Sequence, residues 1–303
     1  MNKSLRFTLT LLVSASFLST MVSCGGGSSK STAEDVAFED AEKKIVTDMD
    51  QVIHDLPSPT EVPYMLQATG ADFNKDIING LERLPKYLTN EDESALNLGI
   101  YATDMGYLIS YKQLEDATDY LESSQKLAES LGVASVFSVA TIEKFQSNLD
   151  NPDSLNKILN KSITDVEDRL ESADRVSVAA LILAGSFVEG LYLAVEVIET
   201  YPTDVLDEET RNLILEPLVK VVLDQEKPLL DVIGLLKDLP EDDIIDHMIS
   251  ELEVLRVLYE TDLAEVEKKI AENTGDFMLT ESDLSGIRTE VKRIRTDIVE
   301  LNR

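Results

Sequence analysis

The chain has 303 residues, with 58 acidic side chains against 27 basic ones, a formal charge of −31, one cysteine, two histidines and no tryptophan. That balance excludes nucleic acid as a default partner, because phosphate binding rests on Lys and Arg patches, and it disfavours attraction to anionic lipid. A single cysteine leaves no intrachain disulfide, so the fold must rest on a hydrophobic core, for which the length is ample.

The amino terminus carries Lys3 and Arg6, then a mostly apolar run from Phe7 to Val22 diluted by Ser and Thr. The run is short of the roughly 20 apolar residues that span a bilayer and fits a cleaved export signal. Met21-Val22-Ser23-Cys24 reads as a lipobox, so residues 1–23 are expected to be a signal peptide and Cys24 the lipidated first residue of the mature chain. Gly25-Gly26-Gly27-Ser28-Ser29 opens a flexible tether over 24–32. Two or more acyl chains hold a protein stably where one does not. Removing 1–23 takes away two positive charges and no negative ones, leaving 25 basic against 58 acidic side chains and a mature charge of −33. By similarity to other lipoproteins, Gly25 after the cysteine implies the outer membrane, and the lack of an early acidic cluster implies its periplasmic face.

From 33 onward nearly every segment has helical period, and no strand pattern or long repeat is evident. An acidic amphipathic helix is expected over 33–55, ended by Leu56-Pro57-Ser58-Pro59. Short helices follow near 60–69, 72–80 and 81–88. Asn90 with Glu93 three residues on opens a helix over 91–111. The next, 113–131, stops at Gly132, a residue suited to the left-handed helix end. Helices near 135–149 and 153–172 follow, then the most apolar one over 175–200, one over 207–225, and one that Pro228 starts or kinks, running to Leu239. Ile245, Ile249, Leu252, Tyr259, Leu263, Val266 and Ile270 keep a 3/4 spacing, as do Leu284, Ile287, Val291, Ile294, Ile298 and Leu301. With a turn at Asn273-Thr274-Gly275-Asp276 and Thr280 and Asp283 as a cap, these form an antiparallel hairpin. The expected fold is all-α: an irregular bundle of about ten helices ending in a long antiparallel helical hairpin. Residues 33–303 read as one domain, with a point of subdivision near 203–240.

Val176 to Val195 carries one charge, Glu189. A charge mid-span is costly in a membrane, so the segment reads as the central helix of a bundle, with Gly185, Ser186 and Gly190 allowing close approach. A buried carboxylate must be paired, hydrogen-bonded or protonated. On helix 91–111, Tyr101, Asp104, Tyr107 and Tyr111 lie near one face. Two readings follow. In one, Asp104, Glu189, Tyr101, Tyr107 and Tyr192 line a polar ligand pocket. In the other, tyrosine hydroxyls satisfy the carboxylates inside a core network. Asp243 and His247, four apart beside Asp242 and Asp246, are weak metal candidates that read equally as an acidic helix start. His54 stands alone, and Asp150-Asn151-Pro152-Asp153 lacks the pattern of a calcium loop. No nucleophile elbow, phosphate loop or zinc-protease motif is present, and no catalytic residue is identified.

Several stretches carry a resemblance: Leu56-Pro57-Ser58-Pro59-Thr60-Glu61, Gly70-Ala71-Asp72-Phe73-Asn74, the run Ala95 to Tyr107, Leu127 to Gly132, and Gly185 to Tyr192. Over roughly 50–200 the chain resembles a family of uncharacterised all-helical lipoproteins from Bacteroidota-type bacteria. The resemblance implies an exported helical domain and supplies no activity, cofactor or catalytic residue. The expected function is a lipid-anchored module for protein interaction or scaffolding in the envelope. It would have no cofactor beyond the lipid on Cys24, with the membrane and an envelope protein as partners. The alternative is a small-molecule or cation receptor using Asp104 and Glu189; an acid/base enzyme on the same carboxylates is a weaker third.

Overall fold

Apolar stripes at helical spacing bury one another throughout the chain, and no strand occurs among the described residues. The structure is a computed structural model that describes residues 60–68, 70–171, 175–200, 208–272 and 283–302, all within one unit covering 40–303. The signal segment, Cys24, the tether, the 33–55 helix, His54, the turn 273–276 and Thr280 lie outside the described residues.

The helices are α1 (Glu61–Ala68), α2 (Leu84–Tyr87), α3 (Glu91–Ser110), α4 (Leu114–Ser130), α5 (Val139–Gln146) and α6 (Pro152–Glu171). They continue as α7 (Val176–Thr200), α8 (Glu208–Leu223), α9 (Glu226–Asp238), α10 (Asp243–Leu258), α11 (Ala264–Ala271) and α12 (Ser285–Glu300). A π-helical turn, Tyr259–Leu263, joins α10 to α11. The all-α multi-helix bundle expected from the periodicity is what the structure contains. α10–α11 and α12 run antiparallel, since Glu251 meets Arg293, Asp262 lies beside Gly286, and Lys269 pairs with Asp283 at 3.3 Å.

Local chemistry sets the boundaries. Asn90 caps α3 by accepting the Asp92 N–H at 2.8 Å. Gly132 ends α4 at φ +72°, where its N–H reaches the Glu129 carbonyl at 3.0 Å and that of Val133 the Ala128 carbonyl at 2.9 Å, both bonds of a Schellman motif. Two expectations fail. Residues 72–88 form two 3₁₀ turns, Lys75–Ile77 and Leu81–Arg83, and the single turn α2, not two helices. Asn74 caps the first turn, the backbone at Ile78 and Gly80 is extended, and the main chain from 77 to 79 is held by core side chains in place of a helical ladder. The 135–149 segment breaks at Ser138, whose extended backbone and hydroxyl cap on Thr141 separate a 3₁₀ turn from α5.

α7 is the axis, contacted by α1, α3, α6, α8, α9 and α12. It is long and apolar enough to cross a membrane, yet 89% of its most apolar window is buried within the protein. Its tightest neighbour is α3. A Cβ on Gly99 would overlap the Ile182 carbonyl, and one on Gly185 the Leu96 carbonyl. At this crossing main chain meets main chain, so nothing can move aside for a methyl group. Gly190, on the same helix, has open space around it. Gly185→Ala should therefore cost about 1–3 kcal/mol in denaturant unfolding, while Gly190→Ala should be neutral or stabilising by up to ~1 kcal/mol through helix propensity. Equal effects of the two substitutions would contradict the close crossing.

Candidate functional site

The close approach of α3 and α7 brings Asp104 and Glu189 together. Both are wholly buried, and each carboxyl group feels the other closely. Asp104 Oδ2 also accepts the Asn79 N–H at 3.0 Å. Glu189 is gripped by Arg295 of α12 through two bonds, Nε to Oε2 at 2.9 Å and a terminal nitrogen to Oε1 at 3.0 Å. The same guanidinium lies 4.5 Å from the centre of the Tyr192 ring and reaches the Ile77 carbonyl at 3.4 Å.

The proton inventory follows from this geometry. Burial, then the Glu189 charge and the shared hydrogen bond, push Asp104 well above the usual carboxylate range, and Arg295 opposes the shift without cancelling it. That shift favours the protonated acid, whose proton the Glu189 carboxylate is placed to accept. Its Oδ1 is buried and accepts no hydrogen bond from a fixed donor among the described residues, as suits an oxygen that carries a proton. Burial pulls on the Arg295 cation, but Glu189 outweighs it and holds the guanidinium firmly protonated. One anion, one cation and one neutral acid leave the cluster without net charge.

Around this core the tyrosines reach one stretch of chain. Tyr107 accepts the Asn74 N–H at 3.0 Å, Tyr120 donates to the Asn79 carbonyl at 2.6 Å, and Tyr101 donates to the Gly80 carbonyl at 3.3 Å. The Asn79 carboxamide donates to Tyr87 at 3.1 Å and to Asn97 at 3.3 Å, and Tyr87 in turn donates to the Val299 carbonyl at 3.0 Å. Burial pushes Tyr87 and Tyr192 each up to about 12 and raises Tyr101, Tyr107 and Tyr120 as well, so all five phenols stay protonated.

The structure brings together all five residues singled out in the sequence, Asp104, Glu189, Tyr101, Tyr107 and Tyr192. The space among them is occupied by residues 77–80 and by Arg295. Asn79, Tyr87, Asn97, Tyr120 and Arg295 were not foreseen. Arg295 had one legible signal: Arg288 and Arg295 are seven apart, as are Glu189 and Glu196, and the structure pairs 189 with 295 and 196 with 288, both at 2.9 Å.

The metal candidates remain apart from this cluster. Asp242 caps α10 by accepting the Ile244 N–H at 3.0 Å, and His247 faces Glu251 at 3.8 Å. Among the described residues no group of three or more His, Cys, Asp or Glu is placed to hold a metal ion. Asn151 caps α6, its carboxamide accepting the Ser154 N–H at 3.1 Å.

A further buried acid escaped the sequence reading. Glu167 of α6 is 1% exposed, and neither carboxyl oxygen has a hydrogen-bond partner. Burial, aided by Asp168, pushes it up to about 8. No family model, curated protein or solved structure matches this chain.

Two predictions test these proton assignments. Asp104→Asn preserves a donor toward Glu189 and an acceptor for Asn79, so it should change stability by less than about 1 kcal/mol. Glu189→Gln strands the buried Arg295 charge and should cost about 3–5 kcal/mol. Equal losses in urea unfolding would mean that Asp104 is ionised. Glu167 is held above its ordinary value, so its neutral form favours folding fully below pH ~4.5, and that advantage is lost as pH rises toward about 8. Glu167→Gln should raise Tm by roughly 10 °C at pH 8 and by almost nothing at pH 4.5. A pH-independent change would refute the assignment.

Proposed function

We propose that the chain is an exported, lipid-anchored helical domain of the cell envelope that acts as a protein-interaction or scaffolding module without catalysis of its own. The observation that carries this reading is the lipobox ending at Cys24, followed at once by the Gly/Ser tether. Two or three acyl chains on one residue give stable membrane attachment without help from surface charge, which suits a mature chain of charge −33. Attachment to the periplasmic face of the outer membrane and membership of the helical lipoprotein family belong to the same proposal.

The geometry of the polar core favours this over the receptor reading. Asp104 and Glu189 do meet, which a cation or small-molecule site would require. However, Arg295 already stands in the place a cation would take, and the hydroxyls that would greet a ligand are bonded to the chain between Asn74 and Gly80. Protonated phenols and a charge-neutral cluster make poor acids or bases, which also weighs against the enzyme reading.

Cells grown with radiolabelled palmitate should incorporate label into the wild-type product and not into Cys24→Ala, which should leave the membrane fraction. Cross-linking in intact cells should recover the wild-type chain in a discrete larger complex. Label on the Cys24→Ala product would overturn the anchor, and recovery of wild type only as a monomer would overturn the interaction role.

A further inference from the structure

The chain is acidic almost everywhere, yet one cleft is lined by lysines. It lies between α5 and α6, has a volume of about 420 Å³, and takes Lys144 from one wall and Lys157 and Lys161 from the other. Its α6 wall follows one helical stripe from Ser154 through Lys157, Ile158 and Lys161 to Asp165, three turns or roughly 16 Å. Asp165 is the sole acid among the lining residues, and it is matched by Lys161 at 2.7 Å. Among the described residues no ion pair forms at Lys144 or Lys157, although acids outnumber bases by more than two to one in the chain. Asp150 and Asp153 flank the connecting turn without lining the cleft.

The neutral groups add a second constraint. Thr141 donates its hydroxyl to the Val136 carbonyl at 3.0 Å, Ser162 donates to the Ile158 carbonyl at 2.9 Å, and the Asn148 amide donates to the Lys144 carbonyl at 2.7 Å. Their protons are engaged, so each presents oxygen lone pairs. The cleft thus offers cations for an acidic group and acceptors for hydroxyl donors, over an apolar floor of Ala140 and Ile158. Its size falls in the range of small-molecule sites, about 300–1,000 Å³. The net negative charge of the chain does not prevent capture, because at physiological salt charges beyond about 8 Å are largely screened.

We propose that the α5–α6 cleft binds a small hydroxylated anion, a sugar acid or sugar phosphate by chemical class, with the acidic group bridging Lys144 and Lys157. This goes beyond the anchoring role and does not depend on it. Calorimetric titration of the full chain in detergent at physiological salt, with glucose 6-phosphate and glucuronate as probes, distinguishes a phosphate from a carboxylate ligand. At least one should bind saturably at one site per chain, and glucose should bind at least tenfold more weakly. The Lys144→Ala/Lys157→Ala variant should lose at least tenfold in affinity with an unchanged melting profile, while Lys86→Ala/Lys126→Ala, outside the cleft, should bind as wild type. Absence of saturable binding by either anion, equal binding of glucose, or full affinity in Lys144→Ala/Lys157→Ala would overturn the proposal.

Discussion

Main chain that is not helical passes through the centre of this bundle, and its peptide groups have to be satisfied there. Ile77 ends a single 3₁₀ turn, Ile78 and Asn79 follow it outside any helix, and all three are buried without the hydrogen-bond ladder that an α-helix would provide. An unpaired buried amide or carbonyl costs about as much as a whole hydrogen bond contributes. The polar core can be understood as the answer to that cost. Asp104 takes the Asn79 N–H, Tyr120 and Tyr101 supply protons to the carbonyls of Asn79 and Gly80, and Arg295 reaches Ile77. What looks like a set of site residues is a socket for a strip of backbone. The aromatic rings add packing to the same end, with Tyr101 standing edge-on to Tyr87 at 6.0 Å and to Tyr120 at 5.3 Å.

The acid within that socket brings its own requirement. Two carboxyl groups in contact cannot both ionise in a low-dielectric interior, and one anion still needs a cation. Sharing a proton between Asp104 and Glu189 and lending one guanidinium from α12 meets both needs. A buried ion pair adds little net stability once desolvation is counted, but here it fixes register. With 189 opposite 295 in an antiparallel pair, a slip of one helical turn would place Val291 or Val299 against Glu189. The Glu196–Arg288 pair, seven residues along on each helix, reinforces the same alignment.

The sequence was legible where a signal is local. Helix 91–110 is set by its Asn90 cap, the stop at Gly132 by a left-handed backbone, and the hairpin by uninterrupted 3/4 spacing. Gly185 marked a close approach on α7, but which helix it meets was not legible, nor with it the meeting of Asp104 and Glu189. Residues 72–88 were misread because Ile77, Ile78, Leu81 and Leu84 imitate a helical stripe. What denies them a helix is tertiary: core side chains bond the peptide groups that a helix would pair internally. Glu167 was invisible for another reason. Its neighbours Asp165 and Asp168 make the segment look solvated, and nothing in the spacing tells that position 167 turns inward. Arg295 sits beside the apolar stripe of α12, where an arginine ordinarily points to solvent.

The last helix is the piece that closes the structure. Arg295 reaches Ile77 across 218 residues of sequence, Tyr87 bonds the Val299 carbonyl across 212, and Arg83 pairs with Glu300 across 217. Joining ends so distant carries a loop-closure cost, and contacts of this separation form late, so α12 has to gain many partners at once when it docks. It does so with a basic set unusual for this chain: Arg288, Lys292, Arg293 and Arg295 meet Glu196, Glu251 and Glu189. The acidic excess of α7 and α10 is therefore what draws the terminal helix home. Cations engaged in that way serve the fold. Lys144 and Lys157, on a cleft far along the chain from α12 and without acidic partners among the described residues, are basic groups whose placement internal pairing does not explain.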